Sequence, residues 1–257
     1  MTRHFLKDDD LSPAEQAEVL AAEARFLAMR GQIDAAKDRL RRSLAQDQHF
    51  GHREGTVRAL ALLGRLEQWS GRPEHAVSHF TDAVTLGEMN ESWEPLGAAL
   101  CGLGEFQRWQ GEYSTSIATL HKAFEIASEH GNVDLWVEVL LEMAETHLAA
   151  GSLDLAAQRA AEASQLARDL GHTLWDARSE FVEGQIAVRR GSLAGIEQMD
   201  RAAERIGESP YSFPFGVSVI ERLGRSLREI GRTDEATNAL DRARKLAEEY
   251  GLVRPRV

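Results

Sequence analysis

The nine residues 63–71 read LGRLEQWSG, residues 103–111 read LGEFQRWQG, and residues 223–231 read LGRSLREIG. Each closes on a glycine, and those glycines belong to a longer series: Gly31, Gly71, Gly111, Gly151, Gly191 and Gly231. A second series follows twenty residues on at Gly51, Gly131, Gly171 and Gly251, with Glu91 and Tyr211 in the two remaining places. Glycine just past a periodic segment ends a helix because it enters the left-handed region at little cost. The spacing therefore predicts two helices in each forty-residue period, repeated six times.

Within the first helix of each period a small residue stands seven positions before the glycine: Ala24, Gly64, Gly104, Ala144, Gly184 and Gly224. Glycine inside a helix costs about 1 kcal/mol relative to alanine, so its recurrence points to a closely approaching neighbour. The second helix offers Ala36, Ala76, Ser116, Ala156 and Ala236 in register, with Ile196 as the exception. Larger residues alternate with these at Leu40, Phe80, Leu120 and Leu240, which predicts a helix pair closed by small-against-large packing. Repeat five is irregular, with Glu180, Glu183 and Asp200 at positions expected to be apolar.

The LG pairs, the turn glycines and the series Ala76, Phe80 and Ala83 resemble the tetratricopeptide repeat family, in a forty-residue form. The resemblance covers about residues 13–253. It implies an all-α, right-handed solenoid of six helix-turn-helix repeats, at about 13–53, 54–93, 94–133, 134–173, 174–213 and 214–253. Residues 1–12 would form an N-terminal extension and 254–257 a tail. Twelve helices packed 8–10 Å apart would make a curved object far longer than it is wide.

The ends of the helices carry supporting signals. Ser12-Pro13-Ala14-Glu15 is a capping box with proline at the first helical position. Pro73, Pro95 and Pro214 also fall at expected helix starts. The one irregular stretch is GESPYSFPFG, residues 207–216. Its Tyr211, Phe213 and Phe215 read as a plug in the seam between repeats, with a recognition loop as the alternative.

The residues of the first helices that lie off the apolar side form one arc, which in this family resembles the lining of a concave groove. Candidate partner-binding residues on it are Arg25, Arg58, Arg65, Trp69, Arg108, Trp109, Arg178, Phe181, Arg189, Arg225 and Arg228. Tryptophan and arginine dominate binding energy at interfaces, and arginine forks grip carboxylates bidentately. The expected partner is a protein or peptide, acidic in character. The competing reading has the tryptophans filling space between repeats and the arginines pairing with nearby glutamates. The asparagine–lysine clamp that the family uses for a C-terminal carboxylate does not occur at these positions.

Several function classes are disfavoured. A formal charge of -11 over 257 residues does not suit general nucleic-acid binding. No window is apolar enough to span a membrane, and the single Cys101 fits a reducing, cytoplasmic setting. His75 and His79, one turn apart, lack further ligands and read as a solvated face; His147 reads as a core histidine and Cys101 as a half-buried thiol. No phosphate loop or nucleophile elbow is present, so neither enzymatic activity nor a cofactor or metal is expected. Residues 3–20 resemble the N-terminal segment of bacterial ornithine carbamoyltransferases, but the Ser-x-Arg-Thr and His-Pro-x-Gln motifs of those enzymes are missing. The expected function is a non-catalytic binding scaffold or adaptor. A sensing module of a transcriptional regulator and a self-assembling structural protein, hence a homo-oligomer, are the alternatives.

Overall fold

The structure is a computed structural model and describes residues 11–208, 215–250 and 252. Among them are twelve α-helices: α1 Pro13–Met29, α2 Ile33–Phe50, α3 Arg53–Trp69, α4 Pro73–Asn90, α5 Trp93–Trp109, α6 Tyr113–Glu129, α7 Val133–Ala149, α8 Leu153–Asp169, α9 Thr173–Arg189, α10 Ala194–Glu208, α11 Phe215–Glu229 and α12 Thr233–Glu249. They form six hairpin pairs stacked into a right-handed, all-α solenoid of tetratricopeptide-like repeats. Odd-numbered helices pack on one another along the inner side, and even-numbered helices form the outer layer.

Local chemistry sets the helix ends. Ser12 and Glu15 make the reciprocal capping box at the start of α1, with Pro13 at its first position. The described glycines of the two series adopt left-handed backbone, for example φ +80° at Gly111. Glu91 stands where the second series lacks its glycine and takes φ 55° all the same. Among the described residues it is the one non-glycine in that region.

The helix pairs close as the small residues predict. A Cβ at Gly64 would lie 2.8 Å from the Phe80 ring, one at Gly104 2.6 Å from Leu120 Cγ, and one at Gly224 2.8 Å from Leu240 Cγ. In repeat three the small partner also bonds: Ser116 Oγ donates to the Gly104 carbonyl at 2.7 Å. Ile196 proves not to be a lapse in the pattern, because Gly195 takes the contact one residue earlier. A Cβ on Gly195 would sit 2.4 Å from the Gly184 carbonyl oxygen, so α9 and α10 cross backbone to backbone. The charges of repeat five are met locally: Arg205 binds Asp176 at 2.7 Å and Glu180 at 2.6 Å, and Gln198 donates to Glu183 at 3.3 Å. Asp200 is exposed.

The expected elongated shape is corrected by the way the ends meet. The Tyr250 ring, just past α12, packs on the α1–α2 turn so closely that a Cβ on Gly31 would lie 2.1 Å from it. Gly31, Asp34, Lys37, Arg72, Glu249 and Tyr250 share one shallow cleft. The C-terminal end of the described solenoid thus touches its N-terminal hairpin. Tyr211, Phe213 and Pro214 lie outside the described residues, as does the side chain of Phe215.

Candidate functional site: an arginine–glutamate hub on the inner face

Helix α7 carries Asp134, Glu138, Glu142 and Glu145 and no lysine or arginine. Three of these carboxylates collect arginines from the four other inner helices nearby. Arg65 of α3 reaches Glu138 at 2.7 Å, passing over repeat three. Arg108 of α5 binds Glu142 at 2.8 Å and Glu145 at 3.1 Å. Arg178 of α9 meets Glu142 at 3.1 Å, and Arg222 of α11 meets Glu145 at 3.1 Å, passing over repeat five. Arg222 also donates to Gln185 and lies over the Phe181 ring at 5.2 Å. Gly102 makes room for the first of these bridges, since a Cβ there would stand 3.3 Å from Arg65 Nε.

Burial makes the electrostatics strong and sets two equivalent carboxylates apart. For Glu145 burial alone would raise the pKa, but Arg222, Arg108 and Arg178 together draw it down to about 2. Glu105, one repeat earlier in the same register, is pushed up to about 7 by burial and by Glu142, against the pull of Arg65 and Arg108. Burial pushes the Cys101 thiol well up. Cys101 is fully buried at 0 % exposure, which corrects the half-buried expectation.

The candidate residues divide into groups. Arg65, Arg108 and Arg178 converge on the hub, Arg178 with only 4 % of its surface exposed. Phe181 is 1 % exposed and lies in the core, where it supports Arg222 rather than lining an open groove. Trp69 is half-buried and packs on the core of the first repeat, and Trp109 is half-buried as well. Arg58 bonds Glu54 at 2.8 Å and approaches Glu94, while Arg225 bonds Glu221 at 2.7 Å. Arg25, Arg189 and Arg228 are exposed. His75 is exposed; His79 and His147 are half-buried, and burial lowers the pKa of each.

Sequence reasoning missed Glu142 and Arg222. The signal was present: their register holds Ala22, Leu62, Gly102 and Val182 in the other repeats, so a charge there departs from the pattern. Among the described residues no cluster of three or more histidine, cysteine or acidic side chains is arranged to hold a metal. No helix there is long and apolar enough to cross a membrane.

Comparison with known proteins supports the architecture. The family description for anaphase-promoting complex subunit 5 matches residues 106–174. No curated protein sequence matches the chain. Among solved structures, aspartyl phosphate phosphatase F from Bacillus subtilis superposes with TM-score 0.74 at 14% identity, over 96% of this chain and 64% of that one. Apo RapI gives 0.74 at 14% identity over 93% and 85%. The signal transduction ATPase with a tetratricopeptide repeat sensor from Pyrococcus horikoshii gives 0.63 at 14% identity, over 91% of this chain and 39% of that one. What the chain has in common with these proteins is the tetratricopeptide-like solenoid fold.

Proposed function

We propose that the chain is a non-catalytic interaction scaffold that holds a peptide or protein segment along the inner face of α3, α5 and α7. The observation that carries this reading is the hub itself. Buried ion pairs are often no more stabilising than apolar packing of the same volume, and four other repeats fill the Glu142 register with alanine, leucine, glycine or valine. The solenoid can therefore be built without the hub, and its charges point to recognition. Arg65 and Arg108 belong to the hub, and Trp69 and Trp109 follow them on the same two helices, α3 and α5. A Rap protein of similar fold, at TM-score 0.72 and 9% identity, has been solved with the competence and sporulation factor bound, which is consistent with a binding role.

A sensing module is the second reading, favoured by the repeat sensor named in the Pyrococcus horikoshii ATPase, of which this chain spans 39%. The resemblance of residues 3–20 to a carbamoyltransferase adds nothing to either reading.

The test is to pan the protein against a displayed library of random nine-residue peptides. Amide hydrogen exchange with and without the strongest peptide then locates the site. Protection concentrated in α3, α5 and α7 supports the assignment. Protection confined to even-numbered helices, or no selectable peptide, overturns it.

A further inference from the structure

The two edges of the solenoid differ in charge. The turns between repeats, at residues 51, 91, 131 and 171, lie along one edge, and the turns within repeats, at 31, 71, 111, 151, 191 and 231, along the other. Within three residues of the first set stand seven carboxylates and two arginines; within three residues of the second stand six carboxylates and seven arginines. The edge between repeats is thus strongly acidic, while the opposite edge is nearly balanced.

The first three turns of the acidic edge also expose large apolar side chains. Phe50 is 49 % exposed, Met89 74 % and Trp93 39 %. Scattered singly, such residues are ordinary; here contacts run from each turn to the next. The Phe50 ring stacks on His52 at 6.1 Å, with His49 on its other side at 4.7 Å. Arg58 bonds Glu54 at 2.8 Å and approaches Glu94 at 3.8 Å, which ties the α2–α3 turn to the start of α5. Trp93, at that start, stacks on His130 of the α6–α7 turn at 5.4 Å and 16°. A strip of exposed rings and carboxylates therefore crosses three turns without a break. Glu88, Glu91, Glu129 and Asp134 beside it are exposed and make no ion pair among the described residues. At Glu91 the middle turn even gives up its glycine for a carboxylate in left-handed backbone, at a cost in stability.

We infer that this edge docks a basic segment of a partner protein, one carrying lysine or arginine beside aliphatic or aromatic residues. Cations of such a segment sit over the exposed ring faces and beside carboxylates that have no partner within the chain, while its apolar residues cover Phe50, Met89 and Trp93. An acidic segment is repelled, and an uncharged apolar one covers the rings but leaves like charges crowded together at its rim. The opposite edge of a second copy is a poor complement, because its arginines are matched by almost as many carboxylates. The surface is separate from the inner-face hub and does not depend on the scaffold reading above.

A fluorescein-labelled twelve-residue peptide of lysine, leucine and tryptophan serves as the probe, beside a second with serine in place of every lysine. At physiological ionic strength the lysine peptide should bind and the serine peptide should not. Glu88→Lys with Glu129→Lys reverses two carboxylates of the acidic edge. Glu74→Lys with Glu112→Lys reverses two exposed carboxylates of the opposite edge and changes the net charge equally. The first pair should weaken binding about tenfold or more, and the second less than about twofold. Phe50→Ser with Trp93→Ser should also weaken it about tenfold, with the charge unchanged. Glu91→Gly should weaken binding while raising the melting temperature, so lost binding is not mistaken for unfolding. Equal losses from the two charge pairs would mean attraction by net charge alone, and full binding without Phe50 and Trp93 would take the rings out of it. Either result overturns the docking edge, as does a lysine peptide that fails to bind. Self-association of the chain in sedimentation, relieved by the same edge variants, would make a second copy the occupant and overturn the basic partner too.

Discussion

Glu105 and Glu145 show how far one register position can be driven by its neighbours. Glu145, held down to about 2 by three arginines, contributes stability above the ordinary carboxylate range and loses it as pH falls toward 2. Glu105 behaves oppositely. Its folded-state pKa of about 7 lies above the model-peptide value near 4.3, so the folded chain binds the extra proton. Its contribution is complete below about pH 4 and fades as pH rises through 7. Glu105→Gln should therefore raise stability at pH 8 and change it little at pH 4.5, which denaturant melts at the two values would measure; an equal change at both would rule out the raised pKa. Glu91 offers a second residue-scale prediction. A non-glycine in left-handed backbone costs about 1–2 kcal/mol, so Glu91→Gly should raise the melting temperature by roughly 2–4 °C for each kcal/mol recovered in a chain of this size.

At the scale of helices, the contact of each helix pair was legible in the sequence because one residue type per register decides it. Gly104 against Leu120 is the clearest case. Gly104→Ala should cost about 1–3 kcal/mol through overpacking, and adding Leu120→Ala should recover part of that loss. A double-mutant cycle reads the coupling, and additive losses would mean that the two side chains do not meet. The slip from Ile196 to Gly195 was illegible, because a one-residue shift at a helix start follows from how α10 begins and leaves no mark on the period. Phe181 was misplaced for a related reason. A wheel drawn for one helix assigns it to the open arc, whereas its cover comes from Arg222 of the next repeat's inner helix. Trp69 was left between groove and packing. Its contact with the first-repeat core predicts that Trp69→Ala destabilises, where a purely exposed side chain would change stability by less than about 0.5 kcal/mol.

At the scale of the molecule, the period identifies which repeats are neighbours but says nothing of how sharply the stack bends. Curvature accumulates from small rotations between repeats, and its consequences are contacts that skip a repeat. Arg65–Glu138 and Arg222–Glu145 are such contacts, both anchored on α7. The Tyr250 ring on the Gly31 turn is the last of the series, joining the two ends. Among the described residues these three contacts tie together parts of the solenoid that are not neighbouring repeats, whereas the extensive helix contacts lie within repeats or between neighbours and tolerate a change of pitch. Replacing Arg65 and Arg222 by methionine preserves much of their packing volume while removing the bridges, and Tyr250→Ala frees the ends. The triple variant should keep its helical circular dichroism and show a larger radius of gyration by small-angle X-ray scattering, with Tyr250→Ala alone giving a smaller increase. Loss of helicity would instead mean that the bridges are needed for the repeats to fold. An unchanged radius with helicity retained would place the control of curvature in the neighbour interfaces, where the glycine contacts already set the spacing of each pair.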